Sequence, residues 1–279
     1  MGYTELDDSI FIREMKDYNA DWANVLKSFA RGVFNPTQDI YYRPVFLIDF
    51  IFEGHLFGTD IGFYHFTNFI FHITNVFLVF TLFRKLKLGE LSSFVFATLF
   101  AVHPVLTQAV VWIPGRNDML LAVFLLSAVL ALHLYFENGS AKYLFAFALL
   151  FLIALFTKET ALFFPFIAVA YLLLVLSVNI KDKRLIYFAG SVVLCYALYW
   201  AIRATATLAQ NNMGGDLFGL LIYRAPLIIQ YIGKTLLPVN LSVYPSMEDT
   251  QNIYGIVSII TLALAFFVSK SACESFTIL

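Results

Sequence analysis

Apolar runs recur along the chain from Val45 to Val268, each stopping at a short group of charged or polar residues before the next begins. About 20 consecutive apolar residues at 1.5 Å each match the roughly 30 Å hydrocarbon core of a bilayer. The balance of residue types agrees: 60% are hydrophobic and 13% charged, against roughly 45–50% and about 25% in soluble proteins. The expected fold class is all-α, a polytopic transmembrane helical bundle. Its parts are an external stretch over residues 1–44, a transmembrane domain over 45–268 and a tail over 269–279. A net charge of −1 offers no basic surface for nucleic acid, which is bound by displacing counterions. Two cysteines, Cys195 and Cys273, imply no disulfide framework. The sequence contains no Cys/His metal spacing, no phosphate-cradling glycine loop and no G-x-S-x-G elbow, so neither metal nor cofactor is expected.

In the first part, Ile12, Met15, Tyr18, Trp22, Val25, Phe29 and Val33 fall three or four apart. That spacing predicts an amphipathic helix, lying either on the protein's own surface or in the membrane interface. Val45 to Phe57 is short and interrupted by Asp49, Glu53 and His55. Since each mid-bilayer charge costs roughly 2.5–3.5 kcal/mol, it reads as re-entrant or interfacial. Gly62 to Phe83 is a span followed at once by Arg84, Lys85 and Lys87, which the positive-inside rule places in the cytoplasm. Leu91 to Val102 then runs outward and Met119 to Phe136 returns. The apolar run from Tyr143 to Val178 would be roughly 54 Å long as one helix, too long for the bilayer. It must fold as a hairpin with its tip at Lys158 and Glu159. Lys181, Lys183 and Arg184 mark a second basic cytoplasmic loop, and Leu185 to Ile202 goes out again to Arg203 and a polar loop, Thr205 to Asp216. Phe218–Leu237 and Ile253–Val268 are further apolar segments without assigned sides. By parity residues 1–44 lie outside, so a further helix is expected ahead of them, and the tail points to loss at the other end too.

On this topology the outer face collects Asp7, Asp8, Arg43, His103, Arg116, Asp118, Lys158, Glu159 and Arg203, with His65 and Asn68 near the mouth of their helix. A carboxylate at Asp7 or Asp8 can take the proton of an attacking hydroxyl while its neighbour orients the acceptor; a solvated acidic turn is the plainer alternative. His65, Asn68, His72 and Asn75, spaced three, four and three, form a polar stripe facing the bundle interior. For His72 and Asn75 interhelical hydrogen bonds are the expected role. Arg43 and Arg116 offer planar forks to a phosphate, or anchor the chain at the interface. Lys158 with Glu159 is either a surface turn or a buried pair that needs partners.

The segments LDDSIFI, YYRPV, GFYHFTNFIFH, FAVHPVLTQAVVWIPGRND, FTKETA and KTLLPVNLSVYP, in this order, resemble the membrane part of the transmembrane and tetratricopeptide-repeat protein O-mannosyltransferases and their bacterial relatives. The similarity runs from about Leu6 to Pro245. It implies a GT-C fold and transfer of a hexose such as mannose from a polyprenyl-phosphate carrier to a hydroxyl, on protein Ser/Thr or a glycan, at the external or lumenal face. It further implies inversion at the anomeric carbon, no metal, and Asp7 and Asp8 as the catalytic acidic pair. Arg43, His65, Asn68, His103, Arg116, Asp118, Lys158 and Glu159 are assigned to the donor's phosphate or sugar. The host would be a bacterial inner membrane, or the endoplasmic reticulum membrane in a eukaryote. The chain departs from the family pattern at Gln108, where Glu is common, and in lacking a first span and the C-terminal repeats. The rival readings are a silent scaffold and a transporter or lipid flippase, which calls for repeated halves with matching broken helices.

Overall fold

The computed structural model describes residues 7–35, 39–206, 227, 229–241 and 253–264. Regular structure among these residues is helical throughout. Contacts divide the chain into two compact units, Met1–His103 with Ala109–Asn211, and Pro104–Gln108 with Asn212–Leu279. In order, the helices are α1 (Lys16–Asn19), α2 (Asn24–Lys27), α3 (Pro44–Phe57), α4 (Ile61–Lys85), α5 (Glu90–Ala101), α6 (Thr107–Val111), α7 (Arg116–Asn138), α8 (Ala141–Thr157), α9 (Phe164–Ala170) and α10 (Arg184–Arg203). The last, α11 (Ile253–Leu264), belongs to the second unit. Ile61–Lys85, Ile113–Asn138 and Arg184–Arg203 are long and apolar enough to cross a membrane, and the bent pair Glu90–Ala101 and Pro104–Val111 is a fourth if taken as one span. The protein is thus a helical membrane bundle. Residues 218–226 and 228 of the expected segment 218–237, residues 207–216 of the polar loop, residues 265–268 of the last apolar segment and the tail lie outside the described residues.

Local signals set the helix ends. Pro44 opens α3, where its missing N–H would have been unpaired anyway. The Asp60 carboxylate accepts from Gly62 N–H at 2.9 Å and caps α4. Gly139, at φ 69°, closes α7 in the left-handed conformation, its N–H bonded to Tyr135 O at 2.8 Å. Lys158 is extended, at φ −158° and ψ 141°, and ends α8. The expected hairpin tip is therefore where the chain turns. Phe151 on the outgoing leg meets Phe164 on the return at 5.8 Å between ring centroids.

Two polar stitches join α4 to its neighbours. Asn75 Nδ2 donates to Met119 O on α7 at 2.9 Å, and His72 Nε2 lies 2.9 Å from Ala101 O on α5. Such bonds fix the rotation of α4 about its axis in a setting where apolar surface alone cannot choose one. In the second unit, a Cβ on Gly233 would come within 1.9 Å of Tyr254 O, so glycine alone allows this crossing with α11.

The N-terminal stripe needs a correction, because residues 10–30 form short turns and not one amphipathic helix. Asn19 Nδ2 donates to Phe11 O at 2.7 Å, Asn24 Nδ2 to Tyr18 O at 2.7 Å, and Asp21 Oδ1 accepts from Ala23 N–H at 2.9 Å. These side chains compete with the helical ladder and break it. As a result Phe11, Ile12 and Val33 pack into a core with Phe46, Leu47 and Phe50 of α3, while Trp22 stays half exposed against His55 at 4.0 Å. Replacing Asn75 by leucine is expected to lower the unfolding free energy by roughly 0.6–1.7 kcal/mol, read from unfolding titrations in mixed micelles.

Candidate active site

The largest fully buried side chain at one end of the first unit is a cation, Arg116, with no exposed surface. It opens α7 immediately after the turn Ile113–Gly115. Its Nη1 donates to Asp49 Oδ2 at 2.9 Å and to Glu53 Oε2, its Nη2 to Tyr64 O at 2.8 Å, and its Nε to Ile113 O at 3.3 Å. The guanidinium also lies over the Phe50 ring, 4.7 Å from its centroid. Asp49 and Glu53 are four residues apart and so share a face of α3. Arg116 was assigned to a phosphate from its sequence; in the fold its fork is occupied by two carboxylates and two backbone carbonyls.

Beside it, the ends of three more elements converge. Arg43 Nε donates to Glu159 Oε2 at 2.9 Å, and Tyr42 N–H donates to Glu159 Oε1 at 2.9 Å. Lys158 Nζ donates to Asp118 Oδ1 at 2.5 Å and to Asn117 Oδ1 at 3.2 Å. Lys158 and Glu159 are therefore not a pair with each other: in extended backbone consecutive side chains point apart, and each finds a partner of opposite charge on a different helix. At the end of α10, Arg203 lies over Tyr42 at 5.2 Å and donates from Nη1 to Tyr199 hydroxyl at 3.0 Å. Burial pushes the Tyr42 hydroxyl up to about 12, so it remains a donor, to Phe29 O at 2.9 Å. Among the described residues only Nε of Arg43 bonds a carboxylate, which leaves its terminal nitrogens for a ligand.

The acidic pair precedes the wide turn Ile10–Glu14, a π-type geometry that recurs at functional sites. Asp8 is fully buried and Asp7 half-buried. Burial, and then the adjacent Asp8 charge, raise Asp7 above its ordinary 3.8. A single ring connects this turn to the arginine: Phe11 stacks on Phe50 at 5.1 Å, and Phe50 lies under Arg116. Asn68 is fully buried, and its Nδ2 is spent on Val110 O at 3.1 Å and Trp112 O at 3.3 Å. Its Nδ2 thus braces the turn before Arg116, while its Oδ1 is buried without a hydrogen-bond partner among the described residues. His65, half-buried, keeps Nε2 shielded and unbonded among the described residues. His103 is half-buried just beyond α5, its N–H held by Phe100 O at 3.3 Å. The sequence reading missed Asp49 and Glu53 as partners of Arg116; their i, i+4 spacing on a helix too charged to span was the available signal. No group of His, Cys, Asp and Glu among the described residues is arranged to hold a metal.

The first unit is thus a helical membrane bundle that gathers charged pairs at one end. More particularly, the family described as dolichyl-phosphate-mannose-protein mannosyltransferase matches residues 44–202. The chain belongs to that family. Among curated proteins it is 33% identical over 122 residues to the mouse protein O-mannosyl-transferase TMTC1, covering 43% of this chain and 13% of the relative. It is 38% identical over 90 residues to human protein O-mannosyl-transferase TMTC3, covering 32% and 10%. With a Caenorhabditis elegans protein O-mannosyl-transferase the identity is 31% over 137 residues, covering 48% and 19%. The matched stretch is thus a small share of each relative's length. No solved structure matches the chain.

Arg116→Leu leaves the buried Glu53 and the half-buried Asp49 without a counter-charge and is expected to destabilise the protein by about 3–5 kcal/mol. Converting Arg116, Asp49 and Glu53 to leucine together is expected to recover most of that loss, both read as thermal unfolding in detergent.

Proposed function

We propose that this chain is the membrane part of an inverting mannosyltransferase that uses a polyprenyl-phosphate mannose donor and a Ser or Thr hydroxyl on a protein acceptor, at the external or lumenal face. The match of residues 44–202 to the mannosyltransferase family carries the reading. The relatives' printed names supply the acceptor class.

The residues divide the work by charge and accessibility. Asp7, half-buried and raised above the ordinary carboxylate value by burial and then by the adjacent Asp8, is the better base of the pair, because it can reach a substrate and its basicity is stronger than that of an ordinary carboxylate. Asp8 is buried beside it and orients it. Asp7 takes the acceptor's proton as the hydroxyl oxygen forms a bond to the anomeric carbon. The bond from that carbon to the phosphate oxygen breaks on the opposite side, and its electron pair leaves with the lipid phosphate. Arg43, Lys158 and His103 are assigned to the phosphate; the two cations Arg43 and Lys158, already oriented by Glu159 and Asp118, stabilise the growing negative charge without reorganising. His65, Asp118 and Glu159 are assigned to the sugar hydroxyls. Arg116, Asp49, Glu53 and Asn68 hold the frame.

The test is transfer of radiolabelled mannose from polyprenyl-phosphate mannose in membranes carrying the full-length protein. Asp7→Asn is expected to lower transfer by about 10²–10⁴-fold; transfer at the wild-type rate would remove the assignment. The ionised form of Asp7 is the active one, so transfer should rise with pH through a limb lying above 3.8. Asp8→Asn removes one of the two causes of that upward displacement and should move the limb of any remaining activity back toward lower pH. Orientation has its own check. Asn138, in an Asn-Gly-Ser pattern at the other end of α7, should carry no glycan in a glycosylating host, whereas a glycan there would reverse the assigned faces.

A further inference from the structure

The far end of α7, roughly 34 Å from Arg116 by helical rise, holds a cavity of about 810 Å³ that the transfer reaction does not use. Lys85, Lys87, His133, Glu137, Asp182 and Arg184 are the charged and titratable residues lining it, among apolar neighbours that include Leu86, Leu88 and Val175. Its volume is in the range of small-molecule sites. Three cations face two carboxylates. Lys85 pairs with Glu137 at 3.0 Å, and Arg184 with Asp182 at 2.7 Å while also donating to Phe136 O at 2.6 Å. Lys87 forms no ion pair among the described residues, so the lining carries one cation in excess. His133 Nδ1 is taken by the Tyr171 hydroxyl at 2.8 Å, which leaves Nε2 as its hydrogen-bonding atom toward the cavity.

The backbone supplies a second observation. Three non-glycine residues have positive φ among those described, Lys87 at 63°, Ser177 at 52° and Asn240 at 51°. Asparagine adopts this conformation readily, lysine and serine much less so. Lys87 and Ser177 both line the cavity. Lys87 occupies the left-handed position of a helix-ending motif, its N–H bonded to Arg84 O at 3.1 Å and the next, Leu88 N–H, to Phe83 O at 3.1 Å. Glycine is the residue that fits this position without strain. A lysine there accepts a local penalty and brings an ammonium to the cavity wall.

We propose that this cavity binds a phosphate-bearing anion, with the head group of an anionic phospholipid as its source. Lys87, Lys85 and Arg184 would hold the phosphate oxygens. The lipid source follows from position: the wall is built from the ends of the candidate spans Ile61–Lys85 and Ile113–Asn138 and the start of Arg184–Arg203, and lipid head groups lie at such ends. Basic pockets between spans are known to favour them. The exposed Leu174 and Val175 beside it offer a surface for acyl chains.

The test uses purified full-length protein in neutral detergent, with phosphatidic acid, phosphatidylcholine and inorganic phosphate as probes and saturable thermal stabilisation with native mass spectrometry as readouts. Phosphatidic acid should stabilise and co-purify, and phosphatidylcholine should not. Lys87→Gly should weaken phosphatidic acid binding about fivefold while leaving the lipid-free protein at least as stable, since it relieves the strained position. Lys142→Gln, at the neighbouring start of α8 but outside the lining, should bind as the unaltered protein does. Equal binding of the two lipids, an unchanged affinity in Lys87→Gly, or an equal loss in Lys142→Gln would overturn the site. Inorganic phosphate binding as tightly as phosphatidic acid would overturn the lipid source and keep the anion site.

Discussion

A guanidinium sealed from water sets the arrangement of one end of this protein. Removing such a charge from solvent costs several kcal/mol unless carboxylates and carbonyls replace the water. Arg116 obtains that replacement from α3 through Asp49 and Glu53, from α4 through Tyr64 O, and from its own turn through Ile113 O. Those bonds can all form only when α3 lies against the start of both α4 and α7. The helix that is too charged and too short to cross a bilayer is thereby held inside the fold, its acidic face turned to the one arginine that needs it.

The other charged side chains of this end follow from that docking. With α3 held, Arg43 and Tyr42 just ahead of it meet Glu159. With α7 held, Asn117 and Asp118 just after Arg116 meet Lys158. The result is a set of oriented partners from α3, α7, the tip between α8 and α9, and α10, with Phe50 as the contact between the arginine and the turn that follows Asp7 and Asp8. Preorganised charge of this kind suits the transfer proposed above, because stabilising groups are in place before charge develops on the leaving group. The opposite end is organised differently: ion pairs there sit on exposed or partly exposed surface, and a cation projects from a strained helix end.

Much of this was legible along the chain. Hydropathy located α4, α5, α7 and α10 to within a few residues, and length alone required a turn at Lys158 and Glu159. The two basic loops, at Lys85–Lys87 and at Lys183–Arg184, do share one end, as they line a common cavity. The polar stripe on α4 faces inward. The site was less legible, and Arg116 shows why. An arginine following glycine between two apolar runs reads equally as a phosphate ligand and as a buried ion, since both uses call for the same planar fork. The amphipathic stripe over residues 10–30 misled for a related reason: apolar periodicity was real, but Asn19, Asp21 and Asn24 bond the backbone locally and divide it into turns.

What the sequence determined by itself is the solvent of each segment, because the free energy of placing apolar or charged residues in a bilayer is close to a sum over the residues of that segment. Spans, basic loops and turns follow from such sums. Which charge meets which was decided only by tertiary structure. The partners Arg116 and Asp49 lie 67 residues apart, and Arg43 and Glu159 lie 116 apart. Pairing at those separations depends on the rotation and docking of whole helices, which packing selects and which no local stretch of sequence records.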